Sequence, residues 1–257
     1  MARSIMSEIR KDHIIKLLQS ESRLDGRDFN KFREVTIETG VVESAEGSAR
    51  VKMGNTDVLV GLKMSVGTPF GDTPNMGVLA TGAELIPLAS ADFESGPPGE
   101  MAIELARVVD RGIRESKMID LEALCITPGE AVWMNFVDIY ALDYDGNLFD
   151  AAALAAVAAL KTAVVPASAH GRGEDFPLPT TCTPISVTSV KIENSILVDP
   201  SLDEEMVASA RLTVTSDENG DLRAMQKGMR GALTVDEVKS IVDQSIEIAK
   251  ELRKLIG

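Results

Sequence analysis

Aromatic residues, cysteines and histidines are scarce in this sequence, and each scarcity limits the kind of core or site that the protein can have. Aromatic residues make up 4% of the 257 residues, so the core must consist mainly of aliphatic side chains. Neither Cys125 nor Cys182 has another cysteine or a histidine at metal-ligand spacing, which leaves two ordinary thiols rather than a zinc site. The histidines, His13 and His170, lie in a polar helix and in a linker, so no Ser-His-Asp or Cys-His catalytic site is expected.

Long hydrophobic runs are also lacking. The first residues, MARSIMSEIRKDHIIKLLQ, mix acids and bases and resemble neither a signal peptide nor a membrane span, so a cytoplasmic protein without a membrane partner is expected. The formal net charge of −14 opposes unassisted binding to a polyanion, because such binding depends largely on neutralising phosphates. We expect no DNA partner, and any RNA site must be local or completed by a more basic partner.

The pattern of apolar residues predicts an α+β protein with two halves. Strand-like stretches come first, then an amphipathic helix, more strands and an Ala-rich buried helix, and a shorter series repeats this order. Two domains are therefore predicted, 1–165 and 184–257, joined by a polar Pro/Gly-rich linker at 166–183. Each half is expected to hold a mixed sheet packed against helices in a βαβα-like order. In the first half we predict a helix at 5–19, strands between 35 and 63, a strand at 78–89, two strands in 124–149 that turn at Pro128-Gly129, and a helix at 150–165. In the second half we predict a hairpin around Asn219-Gly220 and a C-terminal helix capped by Thr234 and Glu237.

The stretch IELARVVDRGIRES at 103–116 places Arg107, Arg111 and Arg114 at spacings of four and three. On a helix the three side chains fall within an arc of roughly 60°. The apolar residues between them, at positions 105, 108, 109 and 113, then face a core. One interpretation is a solvated ladder of ion pairs, and the other is a stripe that binds phosphate groups.

The ladder would consist of three pairs at helical contact spacing: Glu104 with Arg107, Asp110 with Arg114, and Arg111 with Glu115. Each such pair contributes only a few tenths of a kcal/mol. The phosphate stripe would use the planar guanidinium fork, which binds two phosphate oxygens at once. The spacing alone favours the ladder, because charged helix faces are usually solvated.

The acidic run DPSLDEE at 199–205 also has two interpretations. Its carboxylates, Asp199, Asp203, Glu204 and Glu205, could hold a metal ion. The alternative, which the run alone favours, is the first turn of a helix, where the dipole stabilises negative charge.

Several stretches together resemble the RNase PH family. They include RLDGRDFNKFREV, GSARVKMGNTDVLVGLK, the arginine helix, LDYDGNLFDAAALAA and VDPSLDEE, and they follow the family's order over nearly the whole chain. Within the family, DTPNMG, ELIPLA, GPPGE and DYDGN are most similar to the ring subunits of the archaeal exosome that have no active site. The resemblance implies the RNase PH fold and a hexameric ring in which such chains form heterodimers with an active partner. That ring, a trimer of dimers, shortens RNA from its 3′ end with inorganic phosphate as the attacking group.

Three departures from the active members bear on catalysis. Active members carry an arginine, after Gly-Ser or Gly-Thr, that helps to hold the attacking phosphate, and here the turn reads Gly146-Asn147-Leu148. Of the family's three spaced aspartates, the first matches Asp199, the second Glu205 and the third Arg211, which reverses the charge. Because phosphoryl transfer depends on positioning and charge stabilisation, we predict no catalytic residues in this chain.

The resemblance also implies a role for the arginine helix. Arg107 and Arg111 match residues that hold RNA phosphates beside the partner's active site, and Arg114 matches a basic position of less certain role. It implies RNA-binding cap proteins as further partners and no metal or cofactor of this chain's own; phosphate is used at the partner's site, and a role for magnesium in the complex stays open. Two alternatives are an independently active phosphorolytic 3′-5′ exoribonuclease, built on Asp199, Asp203 and Glu205 around a metal, and a scaffold without an RNA role.

Overall fold

A computed structural model describes residues 2–256 of the chain, and side chains are described from residue 10 onwards. The helices are α1 Ala2–Gln19, α2 Glu100–Glu115, α3 Leu148–Lys161, α4 Leu202–Val207 and α5 Val235–Arg253. The strands are β1 Val35–Thr39, β2 Gly47–Met53, β3 Thr56–Gly67, β4 Val78–Leu85, β5 Cys125–Thr127, β6 Ala131–Asp143, β7 Val164–Val165, β8 Phe176–Pro177, β9 Ile185–Ile192, β10 Ser195–Val198, β11 Ala210–Ser216 and β12 Leu222–Gly228.

The first sheet has the order β1-β2-β3-β6-β4, with β5 paired to the end of β6. The pairs are antiparallel except for β4 and β6, which run parallel, so the sheet is mixed as predicted. Helix α3 is buried on all sides and lies close to β2, since a Cβ atom on Gly47 would come within 2.4 Å of the Ala159 carbonyl oxygen. The small alanine side chains of this helix permit that close approach.

The second sheet has the antiparallel order β10-β9-β11-β12. Helix α5 covers one face of it, where Ile241 joins Leu212 and Val214 in a small apolar cluster. The opposite face lies towards α2 and α3, and a Cβ atom on Gly112 of α2 would lie 3.5 Å from the Thr215 side chain. Helix α2 therefore contacts both sheets, and its outer face lies where the two halves meet.

Most of the predicted elements are confirmed. Helix α1 buries Ile14 and Leu18 beside the second sheet, while the side chains of Ile5 and Ile9, in the same predicted helix, lie outside the described residues. The turn at Pro128-Gly129 and the hairpin at Asn219-Gly220 form as expected. Both bonds of the Thr234 capping box are present at the start of α5.

Two boundaries were predicted wrongly. The strand expected at 78–89 ends at Leu85, because a turn closed by the Ala89 amide on the Ile86 carbonyl follows, and Pro87 within it cannot donate to a sheet. The helix expected at 150–165 ends at Lys161, and Val164–Val165 instead forms β7. Its partner β8 lies inside the segment predicted as a linker. Among residues 2–256, no helix is long and apolar enough to cross a membrane.

Candidate nucleic-acid interface

Helix α2 has one buried and one exposed face, as its sequence predicts. It starts after Pro97-Pro98-Gly99, with Gly99 as the N-cap residue. The apolar residues Leu105, Val108, Val109 and Ile113 are buried in the main core. The three arginines at positions 107, 111 and 114 are all exposed on the other side. The sequence thus brings three guanidinium groups to one surface.

These arginines line a groove of about 650 Å³. One wall is α2 itself, and the others include Thr81 of β4 and Gln226 of β12. The side chain of Ile103, one turn before Arg107, is 50% exposed in the same groove. Four carboxylates, Glu100, Glu104, Asp110 and Glu115, line it as well. Residues from both halves of the chain therefore form a single concave surface with positive, negative and apolar parts.

The three arginines differ in how much of their charge is available. Arg114 donates two hydrogen bonds to the Asp110 carboxylate, both 2.9 Å long, and a third of 3.0 Å to the Leu79 carbonyl oxygen. Arg111 Nη1 donates to the neutral amide oxygen of Gln226 at 3.3 Å. Arg107 makes no hydrogen bond or ion pair with any described residue. Positive charge is therefore least compensated at Arg107 and Arg111.

One of the three predicted ion pairs is confirmed, and two are wrong. The Asp110–Arg114 pair forms as expected. Glu104 does not pair with Arg107, because Arg211, which is distant in sequence, forms an ion pair with it instead. Arg111 and Glu115 form no pair, since the Arg111 guanidinium points to β12.

The position of Arg211 explains how a positive charge is tolerated in the interior of the protein. Its guanidinium carbon lies 3.9 Å above the centre of the Phe149 ring, and its Nη2 pairs with Glu104. Gly228 on the neighbouring strand leaves room for it, since a Cβ atom there would come within 2.5 Å of Nη2. Arg211 is 8% exposed, so this charge is part of the interior.

Asp199 is fully buried and is held by positive groups of the N-terminal motif. Its carboxylate accepts bonds of 2.8 Å from Arg33 Nη2 and from Arg27 Nη1, and one of 2.9 Å from the Asn147 amide. Burial opposes ionisation of this group, but the hydrogen bonds and charge of Arg33 outweigh it. They hold the pKa of Asp199 below its ordinary value. A structural arginine therefore already occupies the position nearest this carboxylate.

Glu205 is likewise committed to internal donors. Its carboxylate accepts a hydrogen bond of 2.7 Å from the Tyr144 hydroxyl and one of 2.9 Å from the Asn147 backbone amide. Burial raises the pKa of the Glu205 carboxyl, although these two hydrogen bonds oppose the rise.

The remaining acids of the run are paired too. Glu204 forms a buried ion pair with Arg23, and Asp203 forms a more exposed one with Arg10, 2.7 Å long. Ser201 and Glu204 form a capping box at the start of α4, so the helix-turn interpretation of the run is confirmed. The run does not fit a magnesium ion, since its carboxylate oxygens face arginine, tyrosine and amide donors instead. No group of three or more potential metal ligands occurs among residues 2–256.

The turn before α3 offers no free side chain to an external anion, since the Asn147 amide already donates to Asp150 and Asp199. Gly146 has φ +87° and lies against the backbone of Ser201, and Asn147 adopts a left-handed conformation with φ +52°. Leu148 follows with 1% exposure and belongs to the main core. Where active relatives of the resembling family carry an arginine, this chain has a core residue.

Two sets of residues were missed by reasoning from the sequence. Gln226 lies on a β-hairpin and carries no motif, so nothing in the sequence indicated its approach to Arg111. The arginines of RLDGRDFNKFREV were recognised only as part of a motif. The structure shows that Arg23, Arg27 and Arg33 hold the acids of the run at 199–205.

Comparison with known proteins identifies the chain's relatives. Residues 31–166 match the model of domain 1 of the 3′ exoribonuclease family RNase PH, and residues 182–248 match domain 2. The exosome complex component Rrp42 of Thermoplasma acidophilum is 55% identical over 250 residues, which cover 97% of this chain and 96% of that protein. Among solved structures, the chain is 50% identical to one from the Archaeoglobus fulgidus exosome with RNA bound to the active site, with a TM-score of 0.96 and coverage of 98% of this chain and 100% of that one. A chain of an archaeal exosome core is 47% identical, with a TM-score of 0.93 and coverage of 100% and 99%.

Proposed function

The chain belongs to the RNase PH family of 3′ exoribonucleases, and on this premise we propose that it is a ring subunit of an archaeal exosome with no active site of its own. It alternates in a hexameric ring with a catalytic RNase PH-type partner and supplies Arg107 and Arg111 to RNA phosphates beside the partner's site. The proposal rests on the contrast between the groove on α2 and the positions that would be catalytic in an active member of the family. The arginine groove is open and charged, while the positions expected to be catalytic are filled by the chain's own side chains.

The absence of an active site is supported by two substitutions, by two retained acids and by the surroundings of all four residues. Leu148 replaces the phosphate-binding arginine and is buried, so no anion can reach it. Arg211 replaces an aspartate and is paired to Glu104. Asp199 and Glu205 are retained as acids, but they bind Arg33 and Tyr144 within the fold. Phosphoryl transfer needs positioned groups that stabilise charge on the phosphate, and here those positions stabilise the protein.

The RNA role is supported by the groove on α2. The net charge of −14 would repel RNA from most of the surface, so binding must be confined to a local positive site. Arg107 and Arg111 are exposed and form no ion pair with a described residue, although Glu100 and Glu115 also line the groove, whereas Asp110 neutralises Arg114. We therefore assign RNA contact to Arg107 and Arg111 and an ion-pairing role to Arg114.

Further parts of the proposal concern the assembly. The attacking phosphate, and any magnesium, binds at the partner's site, since the acids at 199–205 already accept from arginine, tyrosine and amide donors of this chain. RNA-binding cap proteins complete the complex, which acts in the cytoplasm. Because contacts to phosphate carry no sequence information, this subunit binds RNA without sequence specificity.

The experiment is a phosphate-dependent shortening assay on a labelled RNA. It compares the chain alone, the chain with its catalytic partner, and the partnered chain carrying Arg107→Ala and Arg111→Ala. We expect no activity from the chain alone, activity from the pair, and a raised KM in the double variant because two phosphate contacts are lost. A ring carrying Arg172→Ala and Lys239→Ala loses the same charge outside the groove and should behave as the unmodified ring.

Two results would contradict the proposal. Phosphorolysis by the purified chain alone would favour the alternative of an independent exoribonuclease. Unchanged activity of the Arg107→Ala and Arg111→Ala ring would favour a scaffold without an RNA role.

A further inference from the structure

We propose that Gln226 is a positioning residue of the RNA groove, which orients the Arg111 guanidinium towards the phosphate backbone without neutralising it. This inference rests on the proposed function and adds a residue from the C-terminal half of the chain to the RNA site. In the structure, Arg111 Nη1 donates to the Gln226 side-chain oxygen at 3.3 Å, and both residues line the same groove.

The register of β12 directs Gln226 to α2. Gln226 pairs with Thr213 on β11, and Gly228, two residues further along, pairs with Arg211. Alternate residues of a strand share a face. Because Arg211 pairs with Glu104 of α2, that face of β12 is the one that borders the helix. Gln226 is half-buried there, although β12 is the edge strand of this sheet.

A neutral acceptor suits this task better than a carboxylate does. A free arginine side chain loses considerable rotamer entropy when it binds, and a prior hydrogen bond reduces that loss. The amide of Gln226 supplies such a bond and leaves the positive charge for a phosphate. On the same helix Asp110 shows the opposite arrangement, since it orients Arg114 and cancels its charge at once. Arg111 thus keeps its charge for a phosphate, whereas Arg114 is committed to its ion pair with Asp110.

The test measures RNA affinity of the assembled ring as a function of salt, with a catalytically inactive partner so that the RNA stays intact. Gln226→Met keeps the shape and removes the acceptor. We expect a loss of affinity of about two- to tenfold, the effect of one hydrogen bond, with an unchanged salt slope because no charge is altered.

Gln226→Glu replaces the amide with a carboxylate that pairs with Arg111. We expect weaker binding, and a salt slope reduced by about 0.7, the contribution of one phosphate contact to a single strand. Arg111→Ala should reduce the slope to the same extent. Adding Gln226→Met to Arg111→Ala should cause no further loss, because the two residues act through one contact. The same Met and Glu substitutions at Gln244, on α5 and outside the groove, serve as matched controls without effect.

The outcomes separate this inference from the proposed function. If Arg107→Ala and Arg111→Ala weaken binding while both Gln226 variants bind as the unmodified ring does, the positioning role is wrong and the RNA groove stands. If none of these variants changes affinity or slope, the RNA groove itself is wrong. A loss in Gln226→Met that adds fully to the loss in Arg111→Ala would also overturn the positioning role, since it would show an independent contact.

Discussion

Replacing Asp199 with asparagine should destabilise the chain strongly, because this carboxylate is a buried structural anion. It accepts bonds of 2.8 Å from both Arg33 and Arg27, whose side chains are only 9% and 12% exposed. Asparagine has nearly the same shape and also tolerates the left-handed conformation found at this position, φ +48°. The substitution therefore removes the counter-ion that two largely buried arginines share, and it turns one acceptor oxygen into an NH2 group that faces their donors. Arg27 keeps its pair with Asp25 at 2.6 Å, and Arg33 keeps Asp145 at 3.8 Å.

The magnitude follows from the burial of the ion pairs. Removing one partner of a buried pair costs about 3–5 kcal/mol when the other charge is left uncompensated. Because Arg27 and Arg33 keep Asp25 and Asp145 as neighbours, we expect the lower end of this range, about 3 kcal/mol. The measurement is the free energy of unfolding in urea at neutral pH. Asp203→Asn provides the control: its pair with Arg10 is 35% and 53% exposed, and an exposed pair contributes about 0–1 kcal/mol.

The pH dependence of the same variant adds a second readout. The pKa of Asp199 is lowered in the folded state, so its stabilisation is present above the pKa of the unfolded chain and is lost as pH falls through the folded pKa. The unmodified chain and Asp199→Asn should therefore converge in stability in acid. A loss below about 1 kcal/mol at neutral pH would refute the interpretation of Asp199 as a structural anion. The carboxylate would then be available for another role.

Three further predictions concern other parts of the fold. Burial raises the pKa of Asp150 from 3.8 to about 7, so the folded state retains a proton that the unfolded state has lost, and stability should fall as pH rises across this interval. Asp150→Asn should remove this dependence of the unfolding free energy on pH, measured by urea titrations at pH values within the interval. An unchanged dependence would refute the raised pKa of Asp150. Leu148→Arg should fail to restore phosphorolysis. It should also lower the free energy of unfolding by more than about 3 kcal/mol, because the charge of the arginine enters the core. An active, stable variant would contradict this prediction. Thr234→Ala should cost about 1 kcal/mol by thermal unfolding, as it removes the bond to the Glu237 amide, and no shift would contradict the cap.

Local features of the fold could be predicted because short-range chemistry determines them. The spacing of apolar residues in α2 fixes which face is buried, and the Thr234 capping box lies within one turn of its own helix. The end of β4 was missed because the apolar pattern continues beyond Leu85, while a turn containing Pro87 ends the strand.

Contacts distant in sequence could not be read from spacing. Glu104 and Arg107 are at ideal helical distance, yet Glu104 pairs with Arg211, 107 positions away. Arg111 is likewise drawn to Gln226, 115 positions away. These choices depend on how the second sheet lies against α2, which no local pattern encodes. The family resemblance, in contrast, depends on motifs spread over the whole chain, and the comparisons confirm it.

A ring in which only the catalytic partner has been inactivated shows directly whether this chain has an active site of its own. Phosphate-dependent shortening of a 3′-labelled RNA would be measured for this ring and for one with an active partner. We predict that inactivating the partner abolishes shortening, because the acids and the turn that would form a second site serve the fold of this chain instead. Shortening that persists above background, and that disappears without phosphate, would show that this chain has an active site and would contradict the account.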